Sequence, residues 1–206
     1  MRVAKEGQER KNEILDASED LFFSKGYEKA TVNDILDAVG ISKGAFYYHF
    51  GSKEEVLDAI IRRRADSGIC AANRIAADAA LTAHEKLLQI MLAQKPNTAQ
   101  QEQLVGALHE APNALMHQKS LSEIILRLAP VLGAVVGQGI GEGVFRTPYP
   151  IESSEFILAV AQTIFDDGCF HWTADELARK IPAFMQSIER ILGADEGSMS
   201  YIMELL

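Results

Sequence analysis

The chain is poor in the features that mark secreted and membrane proteins. Its 206 residues include two cysteines, Cys70 and Cys169, which are too few for a disulfide framework and are expected to be reduced thiols. No stretch reaches about 18 uncharged apolar residues, so no transmembrane helix is expected. The polar N-terminal sequence MRVAKEGQERKNE lacks the apolar segment of a signal peptide. These absences together indicate a cytoplasmic protein.

Strand patterns are also missing. No segment alternates polar and apolar residues over the length of a strand between hairpin turns. The composition, 48% hydrophobic and 24% charged, is typical of globular proteins and excludes wholesale disorder. The length suits one large domain or two small ones, with a core that needs no metal or disulfide. The sequence therefore predicts an all-α fold.

Acidic residues are unevenly distributed. The net charge is −9, which by itself argues against a nucleic-acid partner. Residues 1–64, however, hold 11 Lys and Arg against 12 Asp and Glu, whereas residues 65–206 hold 9 against 17. The N-terminal part is therefore near neutral, and a local basic face remains possible there.

Capping residues divide the N-terminal part into four predicted helices. The first covers about residues 8–24, with Gly26 as its stop signal. Thr31, three residues before Asp34, begins a short second helix that ends at Gly40, and Ser42 caps a third at 43–50. A capping box from Ser52 begins a fourth helix that runs to about residue 80.

The C-terminal part is predicted to contain longer and more apolar helices. Prolines at 96, 112 and 130 are each expected to end or kink a helix. The predicted helices cover 84–93, 121–144 with an interruption at Pro130, 152–172 and 175–192, followed by a short C-terminal helix. The last two long helices are apolar over wide arcs, which indicates either a single core or a four-helix bundle across a two-fold axis.

The strongest motif is TVNDILDAVGISKGAFYYHFGSKEEVL, residues 31–57. Two short helices joined by a glycine turn are typical of a helix-turn-helix, whose second helix enters the major groove of DNA. Phe46 and Phe50 are spaced to face the core together. The remaining residues of this helix carry groups suited to base edges and phosphates, and they are Lys43, Gly44, Tyr47, Tyr48 and His49.

Purely structural interpretations of these patterns stay open at this point. The motif also fits an ordinary helical hairpin with surface aromatics, although exposed Tyr-Tyr-His is costly without a function. Residues 40–44 match G-x-S-x-G, but a nucleophile elbow needs a preceding strand, so Ser42 is better explained as a helix cap. Glycines between 133 and 143 fit close helix packing better than a phosphate loop. His109 and His117 have no metal-ligand spacing, so neither a metal nor another cofactor is expected.

The motif resembles the N-terminal DNA-binding domain of the TetR (tetracycline repressor) family over about residues 10–60. The resemblance rests on the glycine turn, on FYYHF and on the FGSKEEVL segment. Carried over by position, it implies phosphate contacts by Thr31, Ser42, Tyr48, His49 and Lys53. It implies that Lys43, Gly44 and Tyr47 lie nearest the base edges. Residues 65–206 follow the family only in outline, so no effector-binding residue is transferred.

The sequence as a whole indicates a one-component transcriptional regulator. It comprises an N-terminal three-helix helix-turn-helix domain at 1–60, with the motif at about 31–50, and a larger helical domain at 61–206 for effector binding and dimerisation. The expected activity is repression from a palindromic operator by a homodimer, with release by an apolar or amphipathic small molecule held near 87–92, 104–116 and 156–165. The alternative is a small-molecule-binding helical protein without a DNA role. An enzyme is disfavoured because no acid–base, nucleophile or metal constellation has a usable spacing.

Overall fold

The computed structural model describes residues 2–96 and 105–205, and in these ranges every regular element is helical. The prediction of an all-α fold is therefore confirmed. The helices are α1 (Arg2–Lys25), α2 (Val32–Val39), α3 (Lys43–His49), α4 (Lys53–Ala77), α5 (Ala83–Gln94), α6 (Ala114–Gly141), α7 (Pro150–Ile164) and α8 (Ala174–Leu192). Short 3-10 helices cover Ala111–Asn113 and Ser200–Leu205.

The chain forms two compact units. The first contains Met1–Ala65 and Ala99–Ser120, and the second contains Asp66–Thr98 and Leu121–Leu206. The helices α4 and α6 each contribute residues to both units. Residues 105–120, which are distant in sequence, thus belong to the same unit as the N-terminal helices.

The predicted helix boundaries in the first unit are set by local capping. Thr31 and Ser42 cap α2 and α3, and Gly40 ends α2 in the left-handed conformation with φ of 70°. At the start of α4, Ser52 Oγ accepts the Glu55 N–H as predicted, but the Glu55 carboxylate accepts from the N–H of Gly51 rather than from Ser52. The first helix begins earlier than predicted, at Arg2.

The core of the first unit is built from α1 to α4 and from the start of α6. Phe46 and Phe50 are both buried, which confirms the inward pair predicted from their spacing. Phe22 and Ile14 of α1 lie in the same core, and so does Met116 of α6, whose side chain is fully buried. The N-terminal helices therefore enclose their core together with a residue far along the chain.

In the second unit, a polar network lies among α4, α5 and α6. The ammonium of the buried Lys86 donates to the carbonyl of Ala76 and to Gln138 Oε1, both at 2.7 Å. Gln138 donates in turn to the Glu142 carboxylate, which also accepts the N–H of Ala83 at the start of α5. These bonds satisfy a buried ammonium that would otherwise be costly.

The helix α6 is continuous through Pro130, so the predicted interruption is wrong. An internal proline costs a helix about 3 kcal/mol, and buried apolar residues on both sides of it favour the uninterrupted helix. The predicted role of the glycines holds at Gly133 and Gly139, where an added Cβ would lie 2.7 Å from Ile151 and 2.2 Å from Phe145.

The same helix is the one described helix long and apolar enough to cross a membrane by length and composition. About a third of its most apolar window is buried inside the protein. Core helices of soluble proteins pass the same test, and Arg127 on this helix is ion-paired with Asp66 and Glu123.

The helix predicted at 152–172 is also wrong at its end, because α7 stops at Ile164. Asp166 Oδ1 accepts the N–H groups of Gly168 and Cys169, which forms a turn of the kind that Asp side chains favour. The indole N–H of Trp172 then donates to the carbonyl of Ile164 at 2.7 Å. Local turn chemistry therefore outweighs the apolar periodicity of residues 165–172.

Candidate nucleic-acid interface

The helices α2 and α3 form a helix-turn-helix. The turn between them is fixed by Gly40 and Ile41, whose N–H groups both donate to the carbonyl of Leu36. The side chain of Ser42 then begins α3 by accepting the N–H of Ala45 at 3.2 Å. Because Phe46 is buried beneath α3, the opposite side of that helix faces solvent.

The exposed side of α3 carries four of the predicted contact residues. They are Lys43, Gly44, Tyr47 and Tyr48, and Tyr48 is 83% exposed. The ammonium of Lys43 lies 5.9 Å from the ring centroid of Tyr47. An added Cβ at Gly44 would meet nothing closer than Ser42 Oγ at 3.9 Å, so the backbone there is open to close approach. His49 is half-buried, and its ring contacts Tyr48 edge-on.

Thr31 and Ser42 differ in how much of each hydroxyl is used by capping. Thr31 Oγ1 accepts the Asp34 N–H and donates to Asp34 Oδ2 at 2.7 Å, in a complete capping box. Ser42 Oγ acts as an acceptor in its cap, so its hydroxyl hydrogen is not required for capping. Ser42 is therefore the better hydroxyl donor toward an incoming anion.

Asp34 gathers three donors on a single carboxylate oxygen. Its Oδ2 lies 2.7 Å from the Thr31 backbone nitrogen, the Thr31 hydroxyl and the ammonium of Lys25. The bonds from Lys25 and then Thr31 lower the pKa of Asp34 to about 2. The start of α2 is thus tied to the end of α1, a link that the capping pattern alone did not reveal.

Lys53 is held inside the first unit more firmly than a surface phosphate contact requires. Its ammonium donates to the carbonyls of Tyr27 and Ala30 at 2.8 and 2.9 Å and lies 4.1 Å from the Tyr27 ring centroid. Two of its three N–H donors are therefore engaged with the loop between α1 and α2. The sequence placed Lys53 at a helix start, but nothing in the local pattern pointed to Tyr27.

Ser42 has a structural role rather than the catalytic one that a G-x-S-x-G pattern suggests. Ser42 caps a helix, and within the described ranges no strand precedes it. The rings of His109 and His117 lie 5.0 Å apart.

Comparison with known proteins agrees with this architecture. Residues 14–60 match the family model for bacterial regulatory proteins of the tetR family, and residues 95–187 match that for the tetracyclin repressor-like C-terminal domain. The chain is 30% identical over 154 residues to the HTH-type transcriptional repressor KstR2 of Mycobacterium tuberculosis, an alignment covering 73% of this chain and 76% of that protein.

Two solved structures are similar over most of the chain. The TetR family regulator PfmR from Thermus thermophilus is 27% identical with a TM-score of 0.52, covering 89% of this chain and 98% of that chain. A TetR-family regulator from Syntrophomonas wolfei has the same fold at 21% identity and a TM-score of 0.58, covering 90% and 92%. These relatives are transcriptional regulators rather than enzymes. The chain belongs to the TetR family of DNA-binding transcriptional regulators.

Proposed function

We propose that the protein is a cytoplasmic repressor that binds a palindromic operator as a homodimer and is released by a small apolar or amphipathic molecule. DNA binding is assigned to residues 1–60, and dimerisation and effector binding to residues 61–206. The observation that carries the proposal is the exposed face of α3, which presents a lysine, an open glycine and two tyrosines above a buried phenylalanine. No catalytic role is proposed.

The interface residues divide between bases and phosphates by position. Lys43, Gly44 and Tyr47 lie on the face of α3 and are proposed to meet base edges in the major groove. The phosphate contacts are proposed for Thr31, Ser42, Tyr48, His49 and Lys53. Lys53 keeps one N–H for a phosphate after its two internal bonds, so its charge is presented from a fixed position.

Thr31 plays a more indirect part in this division. Its hydroxyl hydrogen is already donated to Asp34, so a direct bond from this hydroxyl to a phosphate would require that the bond from Thr31 Oγ1 to Asp34 Oδ2 break. Its proposed contribution is therefore mainly to orient the first turn of α2, with the backbone N–H groups of that turn directed toward a phosphate.

Exposed apolar side chains on α7 and α8 support the homodimer. Phe156 and Val160, one helical turn apart, are 62% and 43% exposed, and Ile191 of α8 is also exposed. Met185 and Ile188, by contrast, are buried within their own unit. Part of each wide apolar arc therefore packs in the core of its own unit, and only the exposed part is available to a second copy of the chain.

Effector binding is proposed for the second unit on the strength of the family alone. One predicted wall of the cavity, 104–116, belongs to the first unit rather than the second, and its first residue, Leu104, lies outside the described residues. Leu87 and Ile90 of the predicted wall at 87–92 are buried. An open groove of about 350 Å³ lies elsewhere, lined by residues of α8 and the chain end such as Met185, Gln186 and Met203.

A direct binding titration tests the proposal. Fluorescence anisotropy would be measured with a labelled duplex from upstream of the protein's own gene and with a scrambled duplex of the same composition. We expect the upstream duplex to bind at least about 1,000-fold more tightly at physiological salt. Equal affinity for both duplexes, or no binding to either, would favour the alternative of a helical ligand-binding protein without a DNA role.

A further inference from the structure

A charged cluster links the start of α4 to the start of α6 within the first unit. The ammonium of Lys119 lies 2.9 Å from Glu54 Oε1 and 2.9 Å from Asp58 Oδ1. Glu54 and Asp58 are one turn apart on α4, so a single cation pairs with two carboxylates. Bonds from Asp58 and then Glu54 raise the pKa of Lys119, which keeps its ammonium charged at neutral pH.

This cluster is adjacent to the proposed phosphate contact at Lys53. Glu54 follows Lys53 directly, and the ring of Tyr27 lies under the Lys53 ammonium. The pKa of Tyr27 is raised by burial and then by the charge of Glu54, and Lys119 acts on it in the opposite direction. Tyr27 thus lies within electrostatic range of both Lys53 and the Lys119 cluster.

The backbone that carries Lys119 is fixed in the first unit. Met116, one turn earlier on α6, is fully buried in the core formed by α1 to α4. An added Cβ at Gly26 would lie 2.7 Å from the Cβ of Pro112, so the segment before α6 also packs closely on the end of α1. Lys119 is therefore held beside α4 by apolar packing as well as by its ion pairs.

We propose that Lys119 is a positioning residue for DNA binding, which offsets one of the two charges of Glu54 and Asp58 and holds both carboxylates beside the phosphate contact of Lys53 without itself touching DNA. The inference rests on the proposed function, because it requires DNA phosphates near the start of α4. Without Lys119, the net charge of this cluster would change from −1 to −2, and the cluster would repel the phosphate backbone more strongly.

The size of the effect follows from screened electrostatics. At low salt, one additional uncompensated charge within about one Debye length of a phosphate is expected to weaken binding about two- to threefold per half-site. A dimer with two half-sites compounds this to about four- to ninefold. At high salt the Debye length shortens to a few ångströms, and the loss is expected to fall below about twofold.

The test compares operator affinity among Lys119→Gln, Lys119→Arg and the triple variant Lys119→Gln with Glu54→Gln and Asp58→Asn. Anisotropy titrations at low and high salt would use both the upstream duplex and a mixed-sequence duplex, because repulsion does not depend on sequence. Lys180→Gln, on α8 in the second unit, removes the same charge as a matched control. Thermal melting of each variant monitors folding.

We expect Lys119→Gln to lose about four- to ninefold on both duplexes at low salt, and Lys119→Arg and Lys180→Gln to bind like wild type. The triple variant, whose cluster carries no net charge, binds at least as tightly as wild type, which a merely structural role would not produce. Unchanged affinity of Lys119→Gln, or a triple variant no better than the single one, would overturn the inference. Failure of the wild type to bind either duplex would instead refute the proposed function.

Discussion

Replacing Lys53 by alanine separates an internal role of this lysine from its contact with DNA. The substitution removes two charge-assisted hydrogen bonds, to the carbonyls of Tyr27 and Ala30, and the contact of the ammonium with the Tyr27 ring. Each such bond contributes about 1.5 kcal/mol and the ring contact about 0.5–1 kcal/mol. Because both carbonyls can rehydrate in part, we expect the free energy of unfolding to fall by about 2–3 kcal/mol.

The assay is urea unfolding followed by far-ultraviolet circular dichroism, since the single tryptophan lies in the second unit. Lys43→Ala is the matched control, because Lys43 is exposed and its ammonium lies as far as 5.9 Å from the centroid of the Tyr47 ring. It should change stability by less than about 0.5 kcal/mol. If Lys53→Ala unfolds at the same urea concentration as Lys43→Ala, the contacts of the Lys53 ammonium with Tyr27 and Ala30 do not stabilise the fold in solution.

The same two variants differ in their expected effect on DNA binding. Lys53→Ala should weaken operator and scrambled duplex alike and reduce the salt slope by about one unit per half-site contact. Lys43→Ala should cost about 1–3 kcal/mol per base contact and relax the sequence preference at one position of each half-site. Equal losses on both duplexes would make Lys43 a phosphate contact, leaving base readout to Tyr47, Gly44 and DNA shape.

Three further predictions concern the dimer, the cap of α2 and the packing of α6. Phe156→Glu should yield monomers of about 22.6 kDa in light scattering while preserving the fold, whereas Ile188→Glu should unfold the chain because that residue is buried within its own unit. Asp34→Asn should lower the free energy of unfolding at pH 7. Because the pKa of Asp34 is lower in the folded chain, its carboxylate stabilises the fold at any pH above the pKa that it has in the unfolded chain. The difference from wild type should therefore vanish as the pH falls toward 2. Gly139→Ala should destabilise by about 1–3 kcal/mol through overpacking, whereas Gly137→Ala, with open space around it, should stabilise slightly in urea unfolding.

Features encoded by neighbouring residues were predictable from the sequence. The caps at Thr31 and Ser42, the left-handed glycine that ends α2 and the inward pair of Phe46 and Phe50 all depend on residues within one or two turns. Because the recognition face of α3 follows directly from that pair, its exposed residues could also be identified in advance. Their contacts with DNA remain predictions.

Features that depend on distant contacts were not predictable in this way. The pairing of Lys119 with α4 joins residues about 60 positions apart, and no local pattern signals it. The continuity of α6 through Pro130 depends on burial that periodicity does not measure. Ile188 and Phe156 have similar hydrophobic patterns, and only the packed structure distinguishes a core residue from an exposed one.

We propose that the exposed face of α3 reads a specific operator. A footprinting titration of the wild type and Tyr47→Ala on DNA upstream of the protein's own gene tests this proposal. We expect protection of two inverted half-sites centred about one helical turn apart, and loss of that protection by Tyr47→Ala while non-specific binding persists. Uniform protection without a preferred site, or a footprint that Tyr47→Ala and Lys43→Ala both leave unchanged, would contradict it.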